Sequence, residues 1–197
     1  MRIIRLAEPR DAGAVAEIYR PHVDGSAVSF EVDPPSGEEM GQRIDAALAY
    51  APWLCCEEAG AVVGYAYASR HRERAAYRWC VDVSVYVGQG ARRSGVGRGL
   101  YRSLFALLKR QGFCAAHAGI TLPNAASVGL HEALGFRLVG VYPRVGFKNG
   151  RWHDVGWWQL ELLPRTGEPP RLLALDELRR APGFEEALAA GAGRSAR

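Results

Sequence analysis

Hydrophobic and polar positions recur along this chain in two rhythms, one helical and one typical of strands. Apolar residues spaced three and four apart predict helices over residues 8–23, 36–50, 99–112 and 123–135. Runs rich in β-branched and aromatic residues predict strands over residues 2–7, 52–58, 61–70, 77–87, 113–120, 136–148 and 151–162. The order is β-α-α-β-β-β-α-β-α-β-β. We therefore expect an α/β fold in which helices cover a mixed sheet.

Three local motifs mark the ends of these elements. Ser36 and Glu39 have the spacing of a capping box, which predicts a helix that begins near residue 36. Gly112 follows the last apolar position of the third helix and is expected to end it. Asn149 and Gly150 lie between two strand-like runs, and this dipeptide is typical of a β-hairpin.

The chain changes character after residue 163. Residues 164–170 read PRTGEPP, which is typical of a linker, and at most one or two loose helical turns are expected before a frayed end. A length of 197 residues suits one domain with a substantial core. We predict a domain over residues 1–163 and a C-terminal extension over residues 164–197, made of a linker and a short or frayed helix.

The composition indicates a globular protein, because 48% of the residues are hydrophobic. The chain shows no N-terminal signal pattern and no apolar run of membrane-spanning length, so we expect a cytoplasmic protein without a membrane partner. Its four cysteines, Cys55, Cys56, Cys80 and Cys114, lack the paired spacing of zinc ligands. We therefore expect buried thiols and no metal.

The formal net charge of +4 is concentrated in two clusters, residues 70–78 and residues 91–99. A basic protein can bind nucleic acid, but no helix-turn-helix, zinc-finger or aromatic RNA-binding motif accompanies these clusters. Two local clusters that flank one strand suit a small anionic ligand better. Nucleic acid is therefore not an expected partner.

The stretch GARRSGVGRG, residues 90–99, joins a predicted strand to a long predicted helix. It lacks the lysine of a P-loop, and its glycines do not have the spacing of a dinucleotide fingerprint. A tight turn is the simplest interpretation of the glycines. However, the stretch also suits a diphosphate. The start of a helix has free N–H groups, and glycines let a ligand approach the backbone closely. Arg92, Arg93 and Arg98 add positive charge nearby.

The order Arg92-x-x-Gly95-x-Gly97 directly after VSVYV resembles the acyl-CoA pyrophosphate loop of the GNAT acetyltransferases. WCVDVSVYV, LPNAASVGLHEALGF and GFKNGRWHDVGWWQLEL are similar to motifs of the phosphinothricin N-acetyltransferases, over about residues 2–163. The resemblance implies the GNAT fold, with splayed central strands and a C-terminal β-hairpin. It also implies acetyl-CoA as co-substrate, a glutamate-like amino acid such as phosphinothricin or methionine sulfoximine as acceptor, and a homodimer.

The same resemblance implies which residues bind acetyl-CoA. The backbone of a splayed strand is expected to contact the pantetheine arm, and the glycine-arginine loop is expected to wrap the pyrophosphate. A core strand, a solvated basic loop and a helix N-cap are the structural alternatives for these positions. The expected cofactor-binding residues are Val85, Tyr86, Val87, Arg92, Arg93, Ser94, Gly95, Val96, Gly97, Arg98 and Asn124.

Two residues are candidates for proton transfer. Asp82 precedes the splayed strand end, and a carboxylate there can deprotonate an ammonium directly or through water. The family usually has glutamate at this position, so the shorter side chain favours a bridging water. Pairing of Asp82 with Arg78 or another nearby cation is the structural alternative. His131 stands where many GNAT enzymes have a tyrosine, and it is a candidate to protonate the CoA sulfur or to accept the acceptor's proton.

Arg72, Arg74 and Tyr77 match the substrate-side loop of the family, which has a lysine where Arg72 stands. Guanidinium groups bind carboxylate and phosphinate in a bidentate manner, so these residues are the expected acceptor site. Trp152, Trp157 and Trp158 are large enough to anchor a core or a dimer interface, and His153 with Asp154 is expected to form a structural hydrogen-bonded pair.

Other functions remain open from the sequence. One is an acetyltransferase for a polyamine or a protein N-terminus, although a cationic polyamine would favour an acidic pocket over the Arg72 and Arg74 loop. Another is a non-catalytic acetyl-CoA-binding module, against which Asp82 and His131 argue. For the enzyme, direct attack of the amine on the thioester is expected, because no activated nucleophile is evident.

Overall fold

Seven strands and six helices form the part of the chain, residues 2–192, that the computed structural model describes. The strands are β1 (Arg2–Leu6), β2 (Trp53–Glu58), β3 (Ala61–Arg70), β4 (Cys80–Val87), β5 (Ala115–Leu122), β6 (Arg137–Lys148) and β7 (Arg151–Glu161). The helices are α1 (Ala12–Asp24), α2 (Gly37–Leu48), α3 (Val96–Gln111), α4 (Ala125–Glu132), α5 (Leu175–Arg180) and α6 (Phe184–Ala189). Within residues 2–192, every helix is too short or too polar to cross a membrane.

All seven strands form one sheet in the order β1-β2-β3-β4-β5-β7-β6. Neighbouring strands are antiparallel except β4 and β5, which are parallel. β4 and β5 pair only from Cys80 opposite Ala115 to Asp82 opposite His117, although both strands continue further. They therefore separate after Asp82, and the β5-facing edge of β4 is left unpaired. This mixed sheet with splayed central strands confirms the expected fold class.

Side-chain alternation along β4 separates two hydrophobic cores. Val81 and Val83 point into the larger core, which α3 covers on one face of the sheet. Tyr86 packs against the second core, which α1 and α2 cover on the opposite face. Asp82 has the parity of Tyr86, so it lies on the α1 and α2 face at the point where the strands separate.

The local motifs form as the sequence predicts. Ser36 Oγ accepts from Glu39 N at 3.2 Å, and Ser36 N donates to Glu39 Oε2 at 2.8 Å, so the capping box is complete. Gly112 ends α3 in the left-handed region, with φ 102°. Asn149 and Gly150 have φ 52° and 75° and join β6 to β7 as a hairpin. Each motif needs only contacts between residues a few positions apart.

Several element boundaries differ from the prediction by a few residues, and two of these differences have a clear local cause. Helix α3 begins at Val96 rather than near residue 99, because the glycines of the loop join its first turn. Strand β4 begins at Cys80 rather than near residue 77, because Ala75–Tyr77 forms a short 3-10 helix.

The C-terminal extension is more ordered than loose helical turns. Leu178 and Phe184 are buried in the larger core, so α5 and α6 pack against α3. Ser103 Oγ, on α3, donates to Leu188 O at 2.6 Å and accepts from Gly191 N at 3.0 Å. The expected frayed end, residues 193–197, lies outside the described residues, and the domain boundary at residue 163 stays a prediction.

Candidate active site

The loop before α3 presents unpaired backbone donors. Gly95 is the N-cap and has φ 86°, a left-handed conformation that glycine adopts without strain. The first hydrogen bond of the helix runs from Gly99 N to Gly95 O, at 2.9 Å. The N–H groups of Val96, Gly97 and Arg98 therefore precede the helical ladder, which makes this end of α3 attractive to an anion.

Three arginine side chains surround these donors. Arg92, Arg93 and Arg98 are exposed, and none of them forms an ion pair with a carboxylate within residues 2–192. Their charges are therefore available to a ligand. The backbone of the loop is braced from β1, because Arg2 Nη2 donates to Ser94 O at 3.1 Å. This role of Arg2 could not be predicted from the sequence, because the two residues are 92 positions apart.

Ser94 also helps to hold the loop rather than pointing freely outward. Its hydroxyl donates to Ala91 O at 2.7 Å. The remaining acceptor capacity of the oxygen is directed toward Arg2, whose Nη2 lies 3.3 Å away. The side chain therefore stabilises the turn that leads into α3, while its backbone remains part of the candidate anion site.

A cavity of about 60 Å³ lies where β4 and β5 separate. It is lined from β4 by Val83, Ser84, Val85 and Tyr86, from β5 by Ala118, Gly119, Ile120 and Thr121, from α3 by Tyr101, and from α4 and its N-cap by Asn124, Ser127 and His131, with Val28 closing one side. Asn124 is also the N-cap of α4, because its Oδ1 accepts from Ser127 N at 3.1 Å. The cleft joins the splayed strands to the helix that follows them.

His131 is buried in the wall of this cavity, and both of its ring nitrogens make hydrogen bonds. Nδ1 donates to Ser127 O at 2.7 Å, which leaves Nε2 to accept from the Tyr101 hydroxyl at 3.0 Å. Burial lowers the pKa of His131, although the bond to Ser127 O opposes this shift. The imidazole is therefore neutral at neutral pH and fixed in one orientation.

Asp82 contacts a histidine rather than the arginine considered from the sequence. His71, directly after β3, places Nδ1 2.7 Å from Asp82 Oδ1. The ring of His117, on β5, stacks on the His71 ring with centroids 4.2 Å apart and planes 18° apart. Arg78 instead lies over the Trp79 ring, with its guanidinium carbon 4.2 Å from the ring centroid. The structure thus brings together Asp82, His71 and His117.

The environment of this cluster shifts the pKa of two of its members. Burial raises the pKa of Asp82, while the hydrogen bond from His71 and the charge of Arg72 oppose the shift. Burial lowers the pKa of His117, and the nearby His71 lowers it further. His117 Nε2 donates to Gln159 Oε1 at 3.2 Å, so His117 is a neutral ring that is already engaged.

The predicted acceptor residues lie on the exposed segment between β3 and β4. Arg72 Nη1 donates to His71 O at 3.0 Å, and its guanidinium lies 5.9 Å from the centroid of Trp157. The Tyr77 ring is 6.1 Å from that of His71. Arg74 is exposed, and its side chain makes no hydrogen bond or ion pair in the part of the chain that the structure describes. Arg72 and Tyr77 therefore border the Asp82 cluster.

Comparison with known proteins agrees with this geometry. Residues 4–157 match the model of the acetyltransferase (GNAT) domain family. A phosphinothricin N-acetyltransferase of Streptomyces viridochromogenes is 40% identical over 169 residues, which cover 85% of this chain and 92% of that protein. An L-methionine sulfoximine/L-methionine sulfone acetyltransferase of Salmonella typhimurium is 37% identical and covers 81% and 94% of the two chains.

A solved structure agrees as well. The phosphinothricin acetyltransferase of Sinorhizobium meliloti in complex with acetyl-CoA superposes with a TM-score of 0.82 at 37% identity, covering 86% of this chain and 93% of that one. The chain belongs to the phosphinothricin N-acetyltransferase family of the GNAT acetyltransferases. It is therefore an N-acetyltransferase that uses acetyl-CoA as co-substrate.

Two residues of the Asp82 cluster, His71 and His117, were not anticipated from the sequence of this GNAT enzyme. A polar residue in the apolar run CAAHAGI was the available signal for His117. The signal was insufficient, because the cluster depends on the pairing of three strands. Ser69 of β3 lies opposite Asp82, and Asp82 lies opposite His117.

The C-terminal hairpin of the enzyme also corrects one expectation. His153 and Asp154 do not pair with each other: His153 Nε2 contacts Lys148 O at 3.0 Å, and Asp154 Oδ1 accepts from Arg144 N at 2.7 Å. Of the predicted anchoring tryptophans, Trp158 is buried in the core and Trp152 is exposed.

Proposed function

We propose that this N-acetyltransferase acetylates the amino group of phosphinothricin, methionine sulfoximine or a related glutamate-like amino acid. The observation that carries the proposal is the position of Asp82. This carboxylate belongs to the last residue pair before β4 and β5 separate, and the exposed guanidinium of Arg72 lies beside its cluster. A proton acceptor and a cation next to an acyl-CoA cleft suit an acceptor that carries both an ammonium group and acidic groups. The names of the relatives support the same class.

Acetyl-CoA is proposed to lie along the splay with its pyrophosphate on residues 93–98. The free N–H groups at the start of α3 and the unpaired arginines fit a pyrophosphate. The unpaired edge of β4, including Val85, Tyr86 and Val87, offers backbone groups to the pantetheine arm. Arg92 adds charge on one side of the loop, and Asn124 borders the same cleft.

Direct transfer to the amine is proposed, without an acyl-enzyme intermediate. The amine nitrogen attacks the thioester carbon, an N–C bond forms, and the C–S bond breaks. Burial raises the pKa of Cys55 to about 12 and that of Cys56 to about 11, so neither thiol is activated as a nucleophile. The acceptor nitrogen loses two protons between ammonium and amide, and the enzyme must direct both.

We propose that the first proton leaves through Asp82 and that the second proton is transferred close to His131. Asp82 Oδ1 already accepts a hydrogen bond from His71, so Asp82 acts through a bridging water or through the imidazole that it contacts. His131 contacts the Tyr101 hydroxyl, and both side chains line the cleft. A protonated His131 would donate through Tyr101 toward the departing sulfur. Because burial lowers the pKa of His131, this route operates at acidic pH, and at higher pH the thiolate takes its proton from water.

The acceptor's acidic groups are proposed to bind Arg72, Arg74 and Tyr77. The test is a thiol-release assay with acetyl-CoA and three classes of acceptor: phosphinothricin and methionine sulfoximine, a polyamine, and a peptide with a free N-terminus. We expect kcat/KM to be highest for the first class, with mass spectrometry locating the acetyl group on the α-amine. A higher kcat/KM for the polyamine or the peptide would overturn the acceptor class.

A homodimer is proposed through the exposed apolar surface of β6. This strand lies at the edge of the sheet, where its outer backbone groups are unpaired. Its exposed large hydrophobic residues are Leu138, Val139, Val141, Tyr142, Val145 and Phe147. A cluster of exposed large hydrophobic side chains is typical of an interaction surface. Sedimentation should show a dimer that Val141→Lys with Phe147→Lys converts to monomer, whereas a monomeric wild-type protein would overturn the proposal.

A cytoplasmic location is also proposed. Acetyl-CoA as co-substrate supports it, and so do Cys55, Cys56, Cys80 and Cys114, which are all free thiols. Fractionation of cells that produce the protein would test this, and recovery outside the cytoplasmic fraction would contradict it.

A further inference from the structure

The Asp82 cluster contains an imidazole whose second nitrogen has no partner. His71 Nδ1 lies 2.7 Å from a carboxylate oxygen, so this nitrogen carries the proton and Nε2 carries the lone pair. Nε2 makes no hydrogen bond with any residue between 2 and 192, and the His71 side chain is 14% exposed. His71 thus offers an available proton-accepting atom, and Asp82 fixes the tautomer that makes it available.

We propose that His71 takes the proton from the acceptor ammonium, and that Asp82 is the carboxylate that orients its ring; this inference rests on the proposed function. Proton transfer from the ammonium to Nε2 gives a neutral amine and an imidazolium that the Asp82 carboxylate stabilises. The amine then attacks the thioester carbon and expels the CoA sulfur. The second nitrogen proton goes to the sulfur or to water, so every proton is accounted for.

The shorter side chain of Asp82 is consistent with this division of roles. Sequence resemblance indicates that relatives usually carry glutamate at this position, one methylene longer. In this chain the carboxylate contacts His71, so the imidazole extends the reach that the missing methylene would have supplied. A carboxylate that orients a histidine by binding its Nδ1–H is a recurring arrangement for general bases.

The packing around His71 holds the ring in place. His117 covers one face at 4.2 Å, and the rings of Tyr77 and Trp157 approach at 6.1 Å with interplanar angles of 68° and 79°. The titratable and charged groups that face His71 are Asp82 from β4, His117 from β5, and Arg72 and Tyr77 from its own segment. His117 does not compete as the base, because its Nδ1, which has no partner among residues 2–192, is buried out of reach of an acceptor and burial lowers its pKa.

A metal ion is the alternative use of Asp82, His71 and His117, whose ligand atoms lie within 4.8 Å of one another. The ring geometry argues against it. Imidazole nitrogens bind metals in the plane of the ring, and two rings stacked 18° from parallel have lone pairs that do not converge on one point. The contact of His71 Nδ1 with Asp82 also leaves that nitrogen protonated.

The central experiment compares His71→Gln, Asp82→Asn and the double variant with the wild type. Each single variant should lower kcat by about 10²–10⁴-fold, with the KM for acetyl-CoA within about threefold. The double variant should lose no more than the worse single variant, because the two residues act as one unit. Glu73→Gln is the matched control on the same segment: it is exposed and makes no ion pair with the described residues, and it should keep wild-type kcat.

Two readouts separate base catalysis from a structural role. At every pH below the pKa of the acceptor ammonium, the His71→Gln rate should rise about tenfold per pH unit, because only amine that is already deprotonated in solution can react. His71→Ala should regain turnover with added imidazole, in proportion to the concentration of its neutral form. A separate pair of variants tests the stack that positions the His71 ring: His117→Phe should keep about 3-fold to 10-fold more activity than His117→Ala, because a phenyl ring preserves the stack.

Three results would overturn the dyad. One is wild-type kcat in His71→Gln while Asp82→Asn is impaired, because Asp82 would then be the base itself. Another is the absence of imidazole rescue in a folded His71→Ala protein. The third is loss of activity on chelation with recovery on Zn²⁺ addition. The proposed acceptor class and the proposed His71–Asp82 dyad fail separately. A wild-type enzyme that does not acetylate glutamate-like acceptors would overturn the acceptor class, and the dyad could still be tested on the amine that the enzyme does acetylate.

Discussion

A side chain at Gly97 should obstruct acetyl-CoA while leaving the fold intact. A Cβ at this position would lie 3.4 Å from Leu130 Cδ2, 3.6 Å from Val87 Cγ2 and 3.7 Å from Val85 Cγ2. It would therefore point between β4 and α4, the two walls of the proposed pantetheine path. A single methyl group fits at ordinary contact distance, whereas the two further methyl groups of valine do not.

The magnitude follows from this crowding. Inserting methyl groups into a packed site costs about 1–3 kcal/mol. If the cleft must widen to admit the ligand, this cost appears as weaker binding, about 5-fold to 150-fold in the Kd of acetyl-CoA for Gly97→Val. Gly97→Ala should stay within about fivefold of wild type. Gly90→Ala is the matched control, because a Cβ at Gly90 meets nothing within 4 Å.

Isothermal titration calorimetry with acetyl-CoA measures the binding, and the melting temperature reports the fold. Gly95→Val is unsuitable for this purpose, because Gly95 has φ 86° and any side chain there strains the backbone. A Gly97→Val protein that melts like the wild type and binds acetyl-CoA with unchanged Kd would refute the location of the pantetheine path.

Three further predictions address the acceptor, the pH dependence and the C-terminal extension. Arg72→Ala or Arg74→Ala should raise the KM for phosphinothricin by about tenfold or more while the Kd of acetyl-CoA stays constant, and the reverse pattern in steady-state kinetics would assign the loop to the wrong ligand. Burial lowers the pKa of three histidines in the folded protein, whereas in the unfolded chain each of them binds a proton below the ordinary histidine pKa of about 6.5. The free energy of unfolding should therefore fall from pH 7 to pH 5, by up to about 1.4 kcal/mol per pH unit for each histidine, and thermal melts that are flat over this range would contradict the prediction. These histidines are His22, His117 and His131. Ser103→Ala removes both hydrogen bonds that hold the extension on α3 and should destabilise the protein by about 1–3 kcal/mol in chemical denaturation, whereas Arg102→Ala, exposed on the same helix, should change little.

The features that the sequence predicts well are those that short segments determine. The Ser36 and Glu39 capping box, the glycine that ends α3 and the Asn149-Gly150 hairpin each involve neighbouring residues. The free N–H groups at the start of α3 belong to the same class, because they are consecutive backbone groups. Local chemistry was sufficient for these elements, and no tertiary contact overrides them.

The features that the sequence did not reveal depend on distant residues. His71 and His117 meet Asp82 only through the register of three strands, across 11 and 35 positions of the chain. Lys148 next to the hairpin turn has the appearance of a solvated cation, yet it is buried. Its Nζ donates to Val23 O at 2.6 Å, to Ser29 O at 2.9 Å and to Glu31 O at 2.7 Å. Such contacts arise from packing that a local pattern does not encode.

The extension after residue 163 illustrates the same limit. Its helices α5 and α6 have only six residues each, too short to show a convincing amphipathic pattern. They are stabilised by burial of Leu178 and Phe184 and by the hydrogen bonds of Ser103. The partner surface on α3, rather than the propensity of the segment, decides that these turns form.

We propose that a carboxylate-dependent base, next to the point where β4 and β5 separate, deprotonates the acceptor amine. The most direct test is kcat/KM for phosphinothricin in the wild type and in Asp82→Asn, measured from about pH 6 to about pH 10. Positioned proton transfer contributes about 10²–10⁴ in rate, so we expect a loss of that size at neutral pH that shrinks as free amine becomes abundant. A folded Asp82→Asn enzyme that matches the wild type at every pH, or that is impaired by a constant factor across the range, would contradict a role of Asp82 in proton transfer.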